Sequence, residues 1–240
     1  MMNAKHFTNL VLLVVLLLIV PFKGQAQKYP THFLGFPVDG SKETMIKNLK
    51  SVGFEYDSEE DYFTGLYFGN PVYIVLKIRE YRVNRVLLYD IIQRDSLEIK
   101  KRFNKVYQEL LHNKKYALME NEDARISTDE NITTGISQYR KNYKAVFGQK
   151  QMTKADSIAI QAKALKHIKD VPIDNKALKA NFKERCRRIH AKALARSVST
   201  TDDRYMNQVW ISITQKFGKY ALIQSFDNLY NFTQPEDDEE

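Results

Sequence analysis

The 240-residue chain has one cysteine, Cys186, which excludes an internal disulfide and leaves that thiol either free or paired between chains. The fold must therefore be held by an apolar core, and a chain of this length can build one. Glycine is missing from the whole stretch between Gly148 and Gly218. No glycine-rich phosphate loop and no HExxH, CxxC or GxSxG pattern occurs, so the common signatures of nucleotide, zinc and serine-nucleophile chemistry are absent. His32, His112, His167 and His190 are not at ligand spacing. A helical hairpin could bring His167 near His190 and Cys186, but solvated histidines and a stripe cysteine account for that pattern better. No metal or other cofactor is expected. Long apolar runs are also missing: the longest, Leu10–Val20, is about half of the roughly 20 residues that a membrane span needs.

That run has a different reading. Lys5 precedes it, Pro21 ends it, and Gly24-Gln25-Ala26 puts small residues at the −3 and −1 positions before Gln27. A positive start, a short apolar middle and a small-x-small end describe a secretory signal over residues 1–26, with export to the periplasm or the outside. An uncleaved anchor is the alternative. No membrane span is expected once the signal is removed, and no cysteine near the cut offers a site for lipid attachment.

The rest of the chain alternates between helical and strand periodicity. Ser41 offers an N-cap oxygen, Met45, Ile46, Leu49 and Val52 recur at helical spacing, and Gly53 is a natural stop. Strand-like segments follow at Tyr62–Phe68, Val72–Ile78 and Val83–Ile91, close enough to form antiparallel hairpins. Asp95-Ser96 starts a second helix with the apolar stripe Ile99, Phe103, Val106, Leu110 and Leu111. After a polar stretch to Gly135, with a short strand at Tyr116–Met119, strands are expected at Tyr139–Phe147, Val209–Thr214 and Tyr220–Phe226. The order helix–strand–strand–strand thus occurs twice. The expected fold is α+β in two layers, an antiparallel sheet of about six strands with two helices on one face.

Gln149–Asp203 differs from its surroundings. Alanine and lysine dominate, and both favour helix. Met152–Asp170 and Asn175–Ser197 read as two helices packed in a hairpin and projecting from one end of the sheet, the first through Ala155, Ile158, Ala162, Leu165 and Ile168. Between Lys150 and Ser199 there are 13 basic and four acidic residues, a net of +9 against +8 for the whole chain. The basic balance of the protein therefore belongs to this segment. Residues 233–240 end in five consecutive carboxylates, Glu236–Glu240.

The domain reading is a signal at 1–26, a globular part at 27–148 and 204–232, an inserted basic hairpin at 149–203, and an acidic tail at 233–240. Two surfaces are candidates for binding. Aromatic residues concentrate in strands, and Tyr73, Tyr143 and Trp210 would supply contact area at low entropic cost if they lie on an uncovered sheet face. Arg185, Arg188 and Lys192 lie on the basic helix and could meet an acidic partner or anionic surface, although a solvated face has the same pattern. The basic helix lacks interleaved aromatics, so nucleic acid is not expected as a partner. The acid clusters Glu59-Glu60-Asp61 and Asp202-Asp203 read as loop charge, since catalysis needs carboxyls that converge on a pocket.

Phe33-Leu34-Gly35-Phe36-Pro37-Val38-Asp39-Gly40-Ser41, followed by Met45-Ile46, Leu49-Lys50 and Gly53-Phe54, resembles the opening of a family of exported proteins of Bacteroides-type bacteria. Tyr143–Phe147, Val209–Ile213, Gly218–Ile223 and Phe226–Asn231 resemble that family's later strands. The resemblance spans most of the globular part, omits the insertion and brings no activity with it. The element order is also similar to the tandem helix-plus-sheet modules of β-lactamase-inhibitor-like proteins. A looser likeness is to the small lipoprotein of the outer-membrane assembly machine. Those proteins bind other proteins without catalysis, which implies the same here by analogy of fold alone. The expected function is a non-enzymatic protein-binding or assembly module of the cell envelope. The alternatives are an envelope hydrolase built from scattered Asp, Glu and Tyr, and attachment to an anionic surface through the hairpin.

Overall fold

Two capping side chains set the starts of the principal helices. Ser41 accepts a hydrogen bond from the Thr44 amide at the head of α1 (Lys42–Ser51), and Asp95 accepts from the Leu97 and Glu98 amides at the head of α2 (Ser96–His112). Each satisfies donors that a first helical turn leaves without partners. In the computed structural model, residues 30–119, 123–168 and 207–231 are described. Besides the two helices they form β1 (His32–Phe33), β2 (Phe36–Pro37), β3 (Glu55–Asp57), β4 (Tyr62–Tyr67), β5 (Asn70–Arg79), β6 (Arg82–Asp90), β7 (Tyr116–Leu118), α3 (Ile132–Ser137), β8 (Lys144–Gln149), α4 (Lys154–Ile168), β9 (Asn207–Lys216) and β10 (Lys219–Asn228).

Eight strands make one antiparallel sheet in the order β3-β4-β5-β6-β10-β9-β8-β7. The order is that of a tandem repeat. α1 precedes the meander β3–β6, α2 precedes β7–β10, and the last strand of each copy pairs with the other at the centre, Leu87 opposite Ser225. Two-residue turns with left-handed backbone at both positions join the hairpins: Leu34-Gly35, Phe68-Gly69, Glu80-Tyr81 and Phe217-Gly218. Turns of this hand match the twist of the strands they connect.

The opening segment owes its shape to the same local chemistry. β1 and β2 form a small separate hairpin about Leu34-Gly35. Gln149 ties it to β8 by pairing its amide with the His32 backbone, accepting from N–H at 2.6 Å and donating to C=O at 2.8 Å. Thr31 donates to the Asp227 carbonyl (2.6 Å), and Asn228 donates to the Val38 carbonyl (2.9 Å).

One continuous core is shared by the two principal helices and the strands. Met45 and Leu49 of α1 and Ile99, Phe103, Val106 and Tyr107 of α2 are buried with Ile74, Leu88, Phe147, Ile211, Leu222 and Phe226 from the strands. Each fully buried side chain of this size contributes about 1.5–3 kcal/mol. A second cluster occupies the other side: Tyr62, Tyr73, Val75, Leu87, Tyr89, Ile91 and Ile223, with Trp210 packed against it and no described helix residue in it.

The α+β class and the antiparallel sheet agree with the sequence reading, and three details differ. The sheet has eight strands in place of about six: β7 occupies the short segment foreseen at Tyr116, and β3 was not foreseen because three residues carry too little periodicity. The Tyr139 strand starts only at Lys144, because α3 intervenes; the Gln138, Tyr139 and Lys141 amides donate back into it, and Arg140 is left-handed. The first insertion helix does not project. Its Ile160 and Ala164 pack on the core, while Ile158 and Leu165, from the expected stripe, are 58% and 45% exposed. In an alanine-rich helix two apolar faces compete, and the better-fitting one wins. The signal, the second insertion helix and the acidic tail lie outside the described residues.

Candidate functional site

α2 repeats side chains toward one flank at Arg102, Val106, Glu109 and Leu110, the three-to-four-residue spacing of a single helical face. α4 runs opposite, and between them lies a cleft of about 410 Å³. The core side of β10 contributes Gln224 and Phe226 to it, the end of β4 and the turn after it contribute Tyr67 and Phe68, and the β1–β2 hairpin contributes His32 and Leu34. A pocket of this size, largely apolar with a few polar groups, is the usual form of a small-molecule or side-chain-binding site.

Two contacts place α4 against the body. Lys115 Nζ, in the turn after α2, reaches Asp156 Oδ2 at 2.6 Å. That hydrogen bond, with those from Thr153, pulls the Asp156 carboxyl down to about 2. Gly35, in left-handed conformation (φ +80°), lies directly beneath the Ser157 backbone, and a Cβ there would come within 2.5 Å of the Ser157 carbonyl oxygen. Lys163 of α4 sets its ammonium 5.6 Å above the Phe68 ring at the cleft wall.

Several of the polar groups at the cleft are engaged with one another or raised or lowered in proton affinity by burial. Arg102 grips Asp90 on β6 through Nε (2.9 Å) and Nη2 (3.2 Å), and Arg94 Nη1 reaches the same carboxylate at 2.8 Å. Tyr116 accepts from Gln149 Nε2 at 3.2 Å, and burial raises its hydroxyl pKa. Burial holds the Tyr67 phenol well above its ordinary value and His32 below its own. Gln224 is different. The residue borders the cleft and is 3% exposed, while its Nε2 is itself enclosed and has no hydrogen-bond partner among the described residues.

The residues singled out from sequence fall elsewhere. Tyr73 and Trp210 share the second sheet face, but Tyr73 is only 4% exposed and so offers little open contact area. Trp210 is half-buried; its Nε1 donates to Asp227 (2.9 Å), and the cations of Lys144 and Arg85 lie 5.2 and 5.9 Å from its ring. Tyr143 belongs to the opposite, helix-bearing core, where its hydroxyl donates to Glu130. The structure does not bring the three together. Arg185, Arg188 and Lys192 lie outside the described residues, as do Cys186, His190 and Asp202-Asp203. Asp61 is engaged with Lys42 (2.7 Å) and Tyr56 (2.8 Å) on an exposed turn and does not enter the cleft.

Sequence reasoning missed Gln224, Tyr67, Arg102 and Glu109, and it missed that His32 and His112 border one cleft. One signal was available: Gln224 interrupts the inward series Tyr220, Leu222, Phe226 of an otherwise apolar strand face. Among the described residues no group of three or more His, Cys, Asp or Glu could hold a metal ion, and no helix is long and apolar enough to cross a membrane. Comparison with protein-family models, with curated proteins and with solved structures gives no match.

Proposed function

We propose that the protein is an exported, non-enzymatic binding module of the cell envelope whose recognition site is the cleft between α2 and α4. The reading takes the fold as two layers with the helices on one side. The observation that carries it is the state of the charges in the cleft. Asp90, which a hydrolase would need free, is held by two arginines, and among the described residues Glu109 is the one carboxylate that lines the cleft itself. General acid–base work needs two groups with separated proton affinities converging on the same space. The cleft offers instead largely apolar walls, which are the means of holding a guest. An envelope protein segment and a smaller envelope molecule both fit this reading. Attachment through Arg185, Arg188 and Lys192 is a separate proposal that the cleft does not bear on.

A photo-crosslinking residue placed in turn at Ile160, on the cleft side of α4, and at Ile158, on its exposed side, tests the reading in intact envelopes. Adducts at position 160 that are absent at position 158 are expected. Equal labelling at the two positions, or none at 160, overturns it.

A further inference from the structure

The same dipeptide, Phe-Gly, closes one hairpin in each copy of the repeat: Phe68-Gly69 joins β4 to β5, and Phe217-Gly218 joins β9 to β10. The register puts both turns at the end of the sheet where β6 finishes. Val72 lies opposite Asp90, Ile223 lies opposite Tyr89, and Arg94 pairs with Tyr220. Arg94 also donates from Nη2 to Asn70 Oδ1 (3.2 Å), so one residue braces both turns. Three strand spacings separate the midlines of the two hairpins, about 14 Å. Along the same rim, Ile92 after β6 and Leu97 in the first turn of α2 are 49% and 48% exposed.

Folding does not account for the phenylalanine in these turns. Phe217 has φ +50° and is 91% exposed; Phe68 has φ +47° and is 42% exposed. A bulky side chain is strained in the left-handed region, and asparagine or glycine makes the same turn at less cost. Phe217 thus strains its turn and buries almost nothing within the chain. The charges beside the rings are cationic. Lys216 and Lys219 flank the Phe217-Gly218 turn, with Lys216 Nζ 5.1 Å from the Phe217 ring, and Lys163 Nζ lies 5.6 Å from the Phe68 ring. Asp95 and Glu98, at the start of α2, are occupied: Asp95 caps the helix beside Lys219, and Glu98 pairs with Lys101 (2.9 Å). Tyr81 shares the strain (φ +63°) and the exposure (93%), but it stands at the opposite end of the sheet with Glu80 next to it.

We propose that this rim is a contact for the surface of an anionic bilayer. Phe217 enters the headgroup level, Ile92, Leu97 and Phe68 follow it, and Lys216 and Lys219 meet lipid phosphates. Aromatic rings with lysines beside them suit that depth, since the ring is taken out of water while the ammonium stays at the headgroups. Each lysine near an anionic surface raises affinity by about fivefold. The spacing favours lipid over a protein partner. A fluid surface accepts side chains about 14 Å apart without matching their shape, whereas a stable protein interface needs roughly 800 Å² of contiguous area on each side. Phe217 does not line the cleft, so this contact stands apart from the recognition reading and from attachment through Arg185, Arg188 and Lys192.

Co-sedimentation of the full chain with vesicles of phosphatidylcholine, with and without phosphatidylglycerol, tests this. The protein is expected to pellet with the anionic vesicles and to bind them less in high salt. Phe217→Asn gives the turn a residue that suits left-handed backbone. It is expected to weaken the binding roughly tenfold, the share of one buried phenylalanine, while the thermal midpoint holds or rises. That second readout separates loss of the contact from loss of the fold. Tyr81→Asn makes the same change at the opposite end and is expected to leave binding as in the parent. A local signal separates the rim from any other part of the chain that meets lipid. Lipids brominated on their acyl chains are expected to quench the fluorescence added by Phe217→Trp and to spare that added by Tyr81→Trp. The proposal is overturned if Phe217→Asn binds like the parent, if the fluorescence added by Phe217→Trp escapes quenching, or if vesicles with and without phosphatidylglycerol bind equally. It is overturned too if no vesicle pellets the protein while Phe217→Asn reduces self-association in sedimentation velocity, which assigns the rim to a contact between copies of the chain.

Discussion

Arg85 on β6 and Asp227 on β10 face each other across the central strand pair and share two hydrogen bonds of 2.7 Å, Nε to Oδ1 and Nη2 to Oδ2. They are the point at which the two copies of the repeat are joined by charge. Asp227 also accepts from Trp210 Nε1 and from the Ser225 hydroxyl, so the carboxylate is surrounded by donors while nearly all of it is buried. Asp227→Ala strands the Arg85 guanidinium in a site that is mostly closed to water. The expected loss is about 3–5 kcal/mol, measured by urea unfolding. The double variant Arg85→Leu with Asp227→Leu is expected to recover most of it, because no unpaired charge then remains. If the double variant is as unstable as the single one, the cost lies in Trp210 and Ser225 and not in the ion pair.

Gly65 and Phe54 are coupled through space. A Cβ at position 65 would overlap the Phe54 ring, which is buried in the core beside α1. Gly65→Ala is expected to cost about 1–3 kcal/mol by overpacking. Adding Phe54→Leu to it is expected to cost less than the two single changes combined, since each removes the other's conflict. Simple additivity in a denaturation cycle would mean that the strand moves away and the ring does not.

Gly35 bears on the cleft. Alanine there combines a left-handed backbone with a close approach to the Ser157 carbonyl. A loss of at least about 1 kcal/mol is expected, together with faster amide exchange in α4 than in α2. Unchanged α4 protection would show that the hairpin yields instead.

The hold of α4 should also depend on pH. The Asp156 carboxyl, drawn down to about 2 by Lys115 first and then Thr153, binds its proton less readily in the folded chain than in the unfolded one. Its contribution is therefore complete above the ordinary aspartate value near 4 and is lost as pH falls from there through 2. Amide exchange at 157–165 is expected to accelerate over that window, and Asp156→Asn should make the same region fast already at neutral pH. An acid-insensitive α4 in the parent protein would contradict this.

Much of the scaffold could be read in advance, and the reason is local. Ser41 and Asp95 cap as their side-chain chemistry requires, and the long strands β4, β5, β6, β9 and β10 carry enough alternation to be placed within a few residues. α3 escaped because Ile132-Thr133-Thr134-Gly135 has low helix propensity, although Asn131, which accepts from the Thr134 amide, was a usable cap signal. The cleft escaped for a different reason. Gln224, Arg102, Tyr67 and His32 are scattered through the chain, and their proximity depends on how the repeat closes and on which face of α4 settles on β4. Spacing along the chain holds no record of either. The aromatic residues misled in one respect: the preference of Tyr73 for a strand was real, but the face it occupies is buried.

The central position of β10 has a consequence for how the protein matures. β6 is complete early in the polypeptide, and until β10 emerges its hydrogen-bonding rim has nothing from the second copy to mate with. A naked rim of that length invites adhesion between molecules. A chain that stays extended until its last strand has emerged would avoid that hazard, whereas collapse of the first copy alone would leave it sticky. The wiring of the sheet thus favours a late step that zips the two halves together.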